Sequence, residues 1–290
     1  MKSAAEVTAS SASTTVHRVA GALGAEIRGF DLGRLDDDGF AKLRQLLIEH
    51  RVIFLPDQHL SPDQHRELGR RLGELEVHPY IPKWDDEHPE IVVLRSEQGA
   101  IADVWHTDVT FADSPPQFSV LNMQECPDFG GDTMWSNQAL VYASLSAPLR
   151  EMLLGLTAIH TAEVFGHPEQ QAEHPVVRRH PETGEPSLFV NRQFTKRIQQ
   201  LSRSESDALL SMLCSFSEQP QFCCRYSWTP GTIGIWDNRV TQHYVVNDFE
   251  GSRTITRTTI TGDHPEPAGD IGKWPAWTPA RFSASVSPFS

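Results

Sequence analysis

Apolar positions along the chain recur at two spacings. Phe40, Leu43, Leu47 and His50 fall at helical intervals, and the apolar run 52–56 that follows reads as a short buried strand. Ser61-Pro62-Asp63-Gln64 has the form of a capping box with proline at the first helical position. The helix it opens carries Leu68 and Leu72 on one face. Runs at 91–94, 104–111 and 118–123 read as strands. Another helix is predicted from near Ser146-Ala147-Pro148 to about Gly155, then a strand at 187–191, then a helix over 202–216 capped by Ser202 or Ser204. Three strand-like runs close the pattern at 222–228, 232–237 and 253–262. Short strands separated by turn signals, with a few helices between them, predict a mainly β fold with flanking helices, a sandwich or jelly roll.

The two ends differ from this body. Residues 1–15 are rich in Ser, Thr and Ala and predict a disordered tail. Residues 264–290 are rich in Pro and small residues and form a C-terminal extension, in which Trp274 and Trp277 predict attachment to the body. The region between, 16–263, reads as one catalytic domain. At 290 residues the chain buries roughly three quarters of its unfolded surface and needs no disulfide staples. Cys126, Cys214, Cys223 and Cys224 contain no Cys-x-x-Cys spacing and read as reduced thiols of a cytoplasmic protein. A net charge of −13 with no basic run argues against nucleic acid as a partner. No apolar stretch approaches membrane-spanning length, and the N-terminus has no apolar core of a leader.

The chemistry-bearing pattern is His-x-carboxylate. Two residues apart on a strand share a face, so such a pair can supply two ligands to a metal held by two His and one carboxylate. The chain carries several of these triplets. His88/Glu90, His167/Glu169, His180/Glu182 and His264/Glu266 have proline in the middle, which disfavours a ladder position. His65 and Glu67 fall on the predicted helix, where i and i+2 diverge. His106 and Asp108 alone sit in strand-like text. A surface His beside an Asp on an edge strand would give the same text. A third ligand must come from far along the chain, and His243 is the best candidate, although a lone structural histidine fits there as well. Arg253 and Arg257 sharpen the choice. They lie four apart in an alternating run, so they share a strand face. Two buried guanidinium groups need anions, and their forked donors suit carboxylates. Solvated arginines on an exposed face remain the alternative. Trp105 and Trp236 flank these motifs and read as packing aromatics.

Longer motifs carry a resemblance. The segments 105–111 (WHTDVTF), 130–135 (GGDTMW), 174–184, 189–198, 235–244 (IWDNRVTQHY) and 253–263 resemble the taurine dioxygenase (TauD/TfdA) family of Fe(II)/2-oxoglutarate oxygenases, from about Val19 to Asp263. The resemblance implies a double-stranded β-helix (jelly-roll) core and iron held by His106, Asp108 and His243. It implies that Thr133 and Arg253 bind the distal carboxylate of 2-oxoglutarate, that Arg257 faces the substrate's anionic head group, and that His78 helps to hold it. It implies Fe(II), 2-oxoglutarate and O2 as cofactors and cosubstrates, and a dimer or tetramer. The loop between His243 and Arg253 is one residue shorter than in the taurine enzymes, but strand alternation keeps both arginines on one face.

Two departures bear on the substrate. Taurine-specific members carry Asn four positions before the first ligand and Tyr three positions after the substrate histidine. Here those places hold Ala102 and Ile81. The segment 161–173 is shorter than the lid of the taurine enzymes, and lids shape substrate access. The expectation is a dioxygenase that hydroxylates a C–H of a small, anionic, partly apolar molecule other than taurine. An alkyl sulfate, a sulfonate, an aryloxyalkanoate or a carboxylate intermediate of secondary metabolism all fit, and desaturation stays open. The presence of Asp108 points to oxygenation, because the related halogenases lack that carboxylate. A zinc hydrolase using the same three ligands is the competing enzyme class, and a non-catalytic binding protein is the competing non-enzyme.

Overall fold

The computed structural model describes residues 14–99 and 102–279. In chain order the strands and α-helices are β1 (Thr15–Arg18), β2 (Ala25–Arg28), α1 (Asp37–His50), β3 (Val52–Leu55), α2 (Pro62–Leu72), β4 (Val92–Arg95), β5 (Phe118–Glu125), β6 (Thr133–Asn137), α3 (Gln138–Ser144), α4 (Ala147–Leu153), β7 (Thr157–Ala162), β8 (His167–Pro175), β9 (Val177–Arg179), β10 (Pro186–Leu188), β11 (Thr195–Ile198), α5 (Arg203–Ser217), β12 (Cys223–Tyr226), β13 (Ile233–Asp237), β14 (Thr241–Val245) and β15 (Thr254–Ile260).

Seven strands form a large sheet in the order β1-β2-β3-β13-β5-β15-β4. All its pairings are antiparallel except β2 with β3. β3 lies inside it and is buried at every position, as expected of a strand covered on both faces. Helices α1 and α2 cover the outer face through Leu43, Leu47, Leu68 and Leu72, which meet Ile53, Leu55 and Ile260. Ser61 caps α2 in the capping box its spacing predicts, and Ser202 with Glu205 does the same for α5. The inner face packs on a three-stranded sheet, β12-β6-β14, through Phe54, Leu121, Trp135, Tyr226 and Trp236. Phe54 and Tyr226 stack with ring centroids 3.8 Å apart. These two facing sheets are the jelly-roll core.

A further sheet, β11-β7-β8, and the pair β10-β9 close one end together with α4 and α5. The C-terminal segment is strapped onto this end. Arg179 N donates to Glu266 O, Ala268 N to Val177 O and Trp277 N to Gln199 O, and Trp274 lies against Gly155. Thr15 already belongs to β1; the rest of the expected N-terminal tail, residues 1–13, lies outside the described residues.

Two strand expectations need correction. The run 104–111 is not a strand. Its sole ladder contact is an isolated bridge between His106 and His243, after which residues 108–111 turn. Its β-branched and aromatic text expresses burial rather than ladder pairing, and tertiary contacts decide the backbone. At 187–191 the strand stops at Leu188. Segment 161–173 is the end of β7, a short 3-10 turn at Glu163–Phe165 and most of β8, that is, a hairpin.

Candidate active site

β15 alternates between two environments. Thr256 and Thr258 face His65 on α2, while Ile255 and Arg257 face inward. The inner face of β15 therefore looks across at β14, which carries His243. His106 is tied to His243 by reciprocal backbone hydrogen bonds of 3.1 and 2.7 Å. The turn that follows brings Asp108 back, so that Asp108 Oδ1 lies 3.8 Å from the Nε2 atoms of both His106 and His243. Ligating atoms of the three residues all lie within 4.8 Å of one another, and all three residues are buried.

The protonation states suit a cation. His106 Nδ1 donates to Val104 O at 2.7 Å, which leaves the Nε2 lone pair facing the centre. Burial lowers the pKa of both imidazoles, His243 well below the ordinary value, with His106 adding to the effect there. Burial alone would raise the Asp108 pKa. The Arg257 guanidinium outweighs it, helped by the hydrogen bond from Ser119, and the carboxyl is held below the usual carboxylate range. Two neutral imidazoles and one carboxylate on one side of a cavity are the donor set of a mononuclear iron site with open positions.

Hydrogen bonds from Arg257 and Ser119 aim the carboxylate. Asp108 Oδ1 accepts from Arg257 Nη1 at 2.7 Å and Oδ2 from Ser119 Oγ at 2.7 Å. Ser119 Oγ accepts from Asn238 Nδ2, and Asn238 Oδ1 accepts from Trp236 Nε1. Trp236 itself packs between Trp135 and His243, and Trp105 stacks on Tyr244, so both tryptophans are packing residues.

A narrow cleft runs from His243 past Ala102 and Arg257 to Thr133 and Arg253. Gly130 and Gly131, both at positive φ, make the turn that starts β6. A Cβ on Gly130 would meet Asp248 O at 2.6 Å, so glycine is needed there. Arg253 Nε donates to Gly131 O at 3.0 Å and Nη2 to Thr133 Oγ1 at 3.2 Å. Trp228 Nε1 donates to the same hydroxyl. Arg253 is buried, makes no ion pair among the described residues, and burial lowers its pKa to about 10.

A larger cavity of about 330 Å³ opens on the other side of Asp108. Arg257 and His78 stand at its inner end, and Ile81 and Ala102 line it. His78 Nδ1 accepts from the backbone of Tyr80 and Ile81, so the ring carries its proton on Nε2. Burial, then Arg257, lowers its pKa to about 4, which makes it a neutral donor. The structure thus brings together all nine residues singled out in the sequence. It adds an aromatic wall that the sequence did not reveal: Tyr80, Phe165 and Phe194 line the cavity, with Phe111 packed against all three. Phe165 comes from the tip of the β7–β8 hairpin, and Tyr80 lies stacked between it and His167. Glu76 was also missed. Its Oε2 is buried without a partner, and burial, then the charge of Asp108, pushes its pKa up to about 7.

Comparison with known proteins agrees with this geometry. Residues 15–259 match the family described as taurine catabolism dioxygenase TauD, TfdA family. An α-ketoglutarate-dependent sulfate ester dioxygenase of Pseudomonas putida is 37% identical over 273 residues, covering 86% of this chain and 90% of that protein. An alkylsulfatase of Acinetobacter baylyi is 35% identical, covering 86% and 85%. The crystal structure of a taurine dioxygenase from Burkholderia xenovorans superposes with a TM-score of 0.80 at 38% identity, covering 88% of this chain and 93% of that one. A buried two-histidine, one-carboxylate cluster inside a jelly roll, matched across most of the chain, means that this protein belongs to the TauD/TfdA family of Fe(II)/α-ketoglutarate-dependent dioxygenases.

Proposed function

We propose that His106, Asp108 and His243 hold the iron, that Arg253 and Thr133 receive the far carboxylate of 2-oxoglutarate, and that the substrate is an organic sulfate ester or sulfonate with a sizeable apolar group. The observation that carries this reading is the convergence of the three ligand atoms beside two buried arginines, Arg253 in the narrow cleft and Arg257 lining both that cleft and the larger cavity. Bound iron, with 2-oxoglutarate and O2, supplies the oxidant for C–H hydroxylation, and succinate and CO2 are the co-products.

The protein's own groups do the rest. Arg253 offers a desolvated guanidinium, and a dicarboxylate end is the fork-matched anion for it. Arg257 and the Nε2–H of His78 face an anionic head group, and this fixes the adjacent carbon beside the metal ligands. The cavity volume falls in the range of sites for ligands larger than taurine. Ala102 and Ile81 offer no polar contact to an amine. The aromatic wall excludes water from the apolar end of the substrate. We read the β7–β8 hairpin tip, Val164 and Phe165, as a short lid over one catalytic domain spanning 16–263. The names of the two bacterial relatives favour a sulfate ester over other anions. Hydroxylation next to the ester oxygen leaves a carbon that breaks down to an aldehyde and inorganic sulfate. A cytoplasmic setting is supported by four free cysteines, and no described helix is long and apolar enough to cross a membrane.

The test is anaerobic titration of the Fe(II) protein with 2-oxoglutarate, followed by admission of O2 with a panel of alkyl sulfates, aryl sulfates, sulfonates and aryloxyalkanoates. The expected result is a visible charge-transfer band, absent in His106→Ala, and succinate formed in step with free sulfate from a medium-chain alkyl sulfate. No band with iron demonstrably bound would refute 2-oxoglutarate chelation at the His106, Asp108 and His243 site. A band with turnover only on a sulfonate or aryloxyalkanoate would refute the sulfate-ester assignment alone.

A further inference from the structure

Val109, the residue after Asp108, has φ +50°. Left-handed backbone at a β-branched residue is disfavoured by the clash of its side chain with its own main chain. Such a residue persists only where its surroundings over-determine it. The surroundings here are three buried polar side chains that converge on Thr110, itself fully buried. His174 Nε2 lies 3.0 Å from both Thr110 O and Ala112 O. Both partners are carbonyls, so this nitrogen carries the proton and donates. His160 Nδ1 lies 2.9 Å from Thr110 Oγ1, and Asn191 Nδ2 donates to the same hydroxyl at 3.2 Å.

The two histidines come from β7 and β8. Ala158 pairs with His174 and His160 with Ala172, so both rings lie on one face of that sheet, 5.3 Å apart, against Phe189. None of these three side chains lines the substrate cavity. Their hydrogen bonds to the segment after Asp108 all fall within residues 110–112, the end of the turn that aims the carboxylate.

We propose that His174, supported by His160, is a positioning residue for Asp108: it holds the 108–112 turn in the strained conformation that brings the carboxylate onto the two imidazoles. The inference rests on the iron-site reading above. A buried donor satisfying two carbonyls of one turn restricts that turn at two points. Without it Val109 relaxes to negative φ, and the carboxylate swings away from His106 and His243.

The test is Mn(II) binding to the metal-free, full-length protein, read from the electron paramagnetic resonance of free Mn(II). Near-ultraviolet circular dichroism confirms folding. His174→Ala is expected to weaken Mn(II) affinity by about tenfold or more, the size seen when outer partners of metal ligands are removed. His174→Gln, which places an amide N–H near the Nε2 position, is expected to restore most of it. A merely structural role would lower thermal stability in both variants and leave Mn(II) affinity alone. Affinity within about twofold of wild type in folded His174→Ala, or no recovery in His174→Gln, overturns the inference while the iron site stands. A wild-type protein that fails to bind Mn(II) overturns the iron-site reading and this inference with it.

Discussion

Arg253→Met separates the requirement for 2-oxoglutarate from the requirement for folding, because the two effects have opposite sign. Arg253 is 6% exposed, and its hydrogen bonds go to Gly131 O and Thr133 Oγ1. Burial lowers its pKa from 12.5 to about 10 even with nearby Cys126 and Asp132 acting in the opposite direction. A drop of this size corresponds to a penalty of about 3 kcal/mol on the charged form. Methionine retains much of the apolar stem and removes that penalty, at the loss of two hydrogen bonds contributing about 1 kcal/mol each. Thr133 Oγ1 keeps Trp228 Nε1 as a donor. The ligand-free variant should therefore be more stable than wild type by about 1 kcal/mol, a rise in melting temperature of roughly 2 °C for a chain of this size. The gain from ligand should vanish at the same time. At one hundred times its dissociation constant, 2-oxoglutarate stabilises the wild type by about 2.7 kcal/mol. Scanning calorimetry of the Mn(II) protein, with and without 2-oxoglutarate, reads both effects without turnover. A variant that melts lower than wild type in the absence of 2-oxoglutarate, or that still gains stability when it is added, refutes the assignment of Arg253 as an uncompensated cation awaiting a carboxylate.

Three further outcomes follow from the same contacts. Asp108→Ala leaves Arg257 buried without its counter-ion, so denaturant unfolding of the metal-free variant should show a loss of about 3–5 kcal/mol in addition to lost metal binding; a loss under about 1 kcal/mol would show that Arg257 has another partner. His65, fully buried on α2, has its pKa lowered by burial to about 4. Because the unfolded chain takes up that proton first as pH falls below 6.5, stability should drop between pH 6.5 and 4, by roughly 2 kcal/mol from pH 7 to pH 5. In His65→Gln this part of the pH slope should be missing, and an unchanged slope would contradict it. Phe165→Ala removes the hairpin's ring from the cavity wall, so KM for a long-chain or aryl substrate should rise about tenfold or more while KM for a short one stays within about twofold, a difference of the size one buried apolar group supports; equal effects on both would place Phe165 outside the substrate's path.

What could be read from the text of the chain depended on whether a residue's role was local. The inward face of β15 was legible because alternation follows from strand geometry alone; Arg257 falls on it, and Arg253, just before the strand, also reaches inward to Gly131 and Thr133. The caps at Ser61 and Ser202 were legible for the same reason. The aromatic wall, Ser119, Glu76 and the Thr110 network were not, because topology alone brings those residues together from distant elements. Ser119, for example, reads as an ordinary β5 residue until β13 and β15 pair on either side of it. Asn238 stood inside a motif that was noticed, yet nothing local distinguishes a ligand's partner from its neighbours.

His106 and Asp108 show a third case, in which the fold brings two residues together by a route other than the one their spacing suggests. Strand alternation suggested that they share a face, but residues i and i+2 of an extended strand stand about 7 Å apart along it. In the fold Asp108 Oδ1 comes within 3.8 Å of His106 Nε2, because the chain leaves the bridge at His106 and turns at once through Val109. A two-residue spacing is therefore not sufficient for this site. It works where the following turn is held, and the other His-x-carboxylate triplets lack that support: His167 and Glu169 pair with each other on the surface, and His180 is turned away to Asp237. Replacing Val109 or loosening its supports should then disturb the metal site more than replacing Thr107 between the two ligands, whose hydroxyl merely donates to Thr241 O.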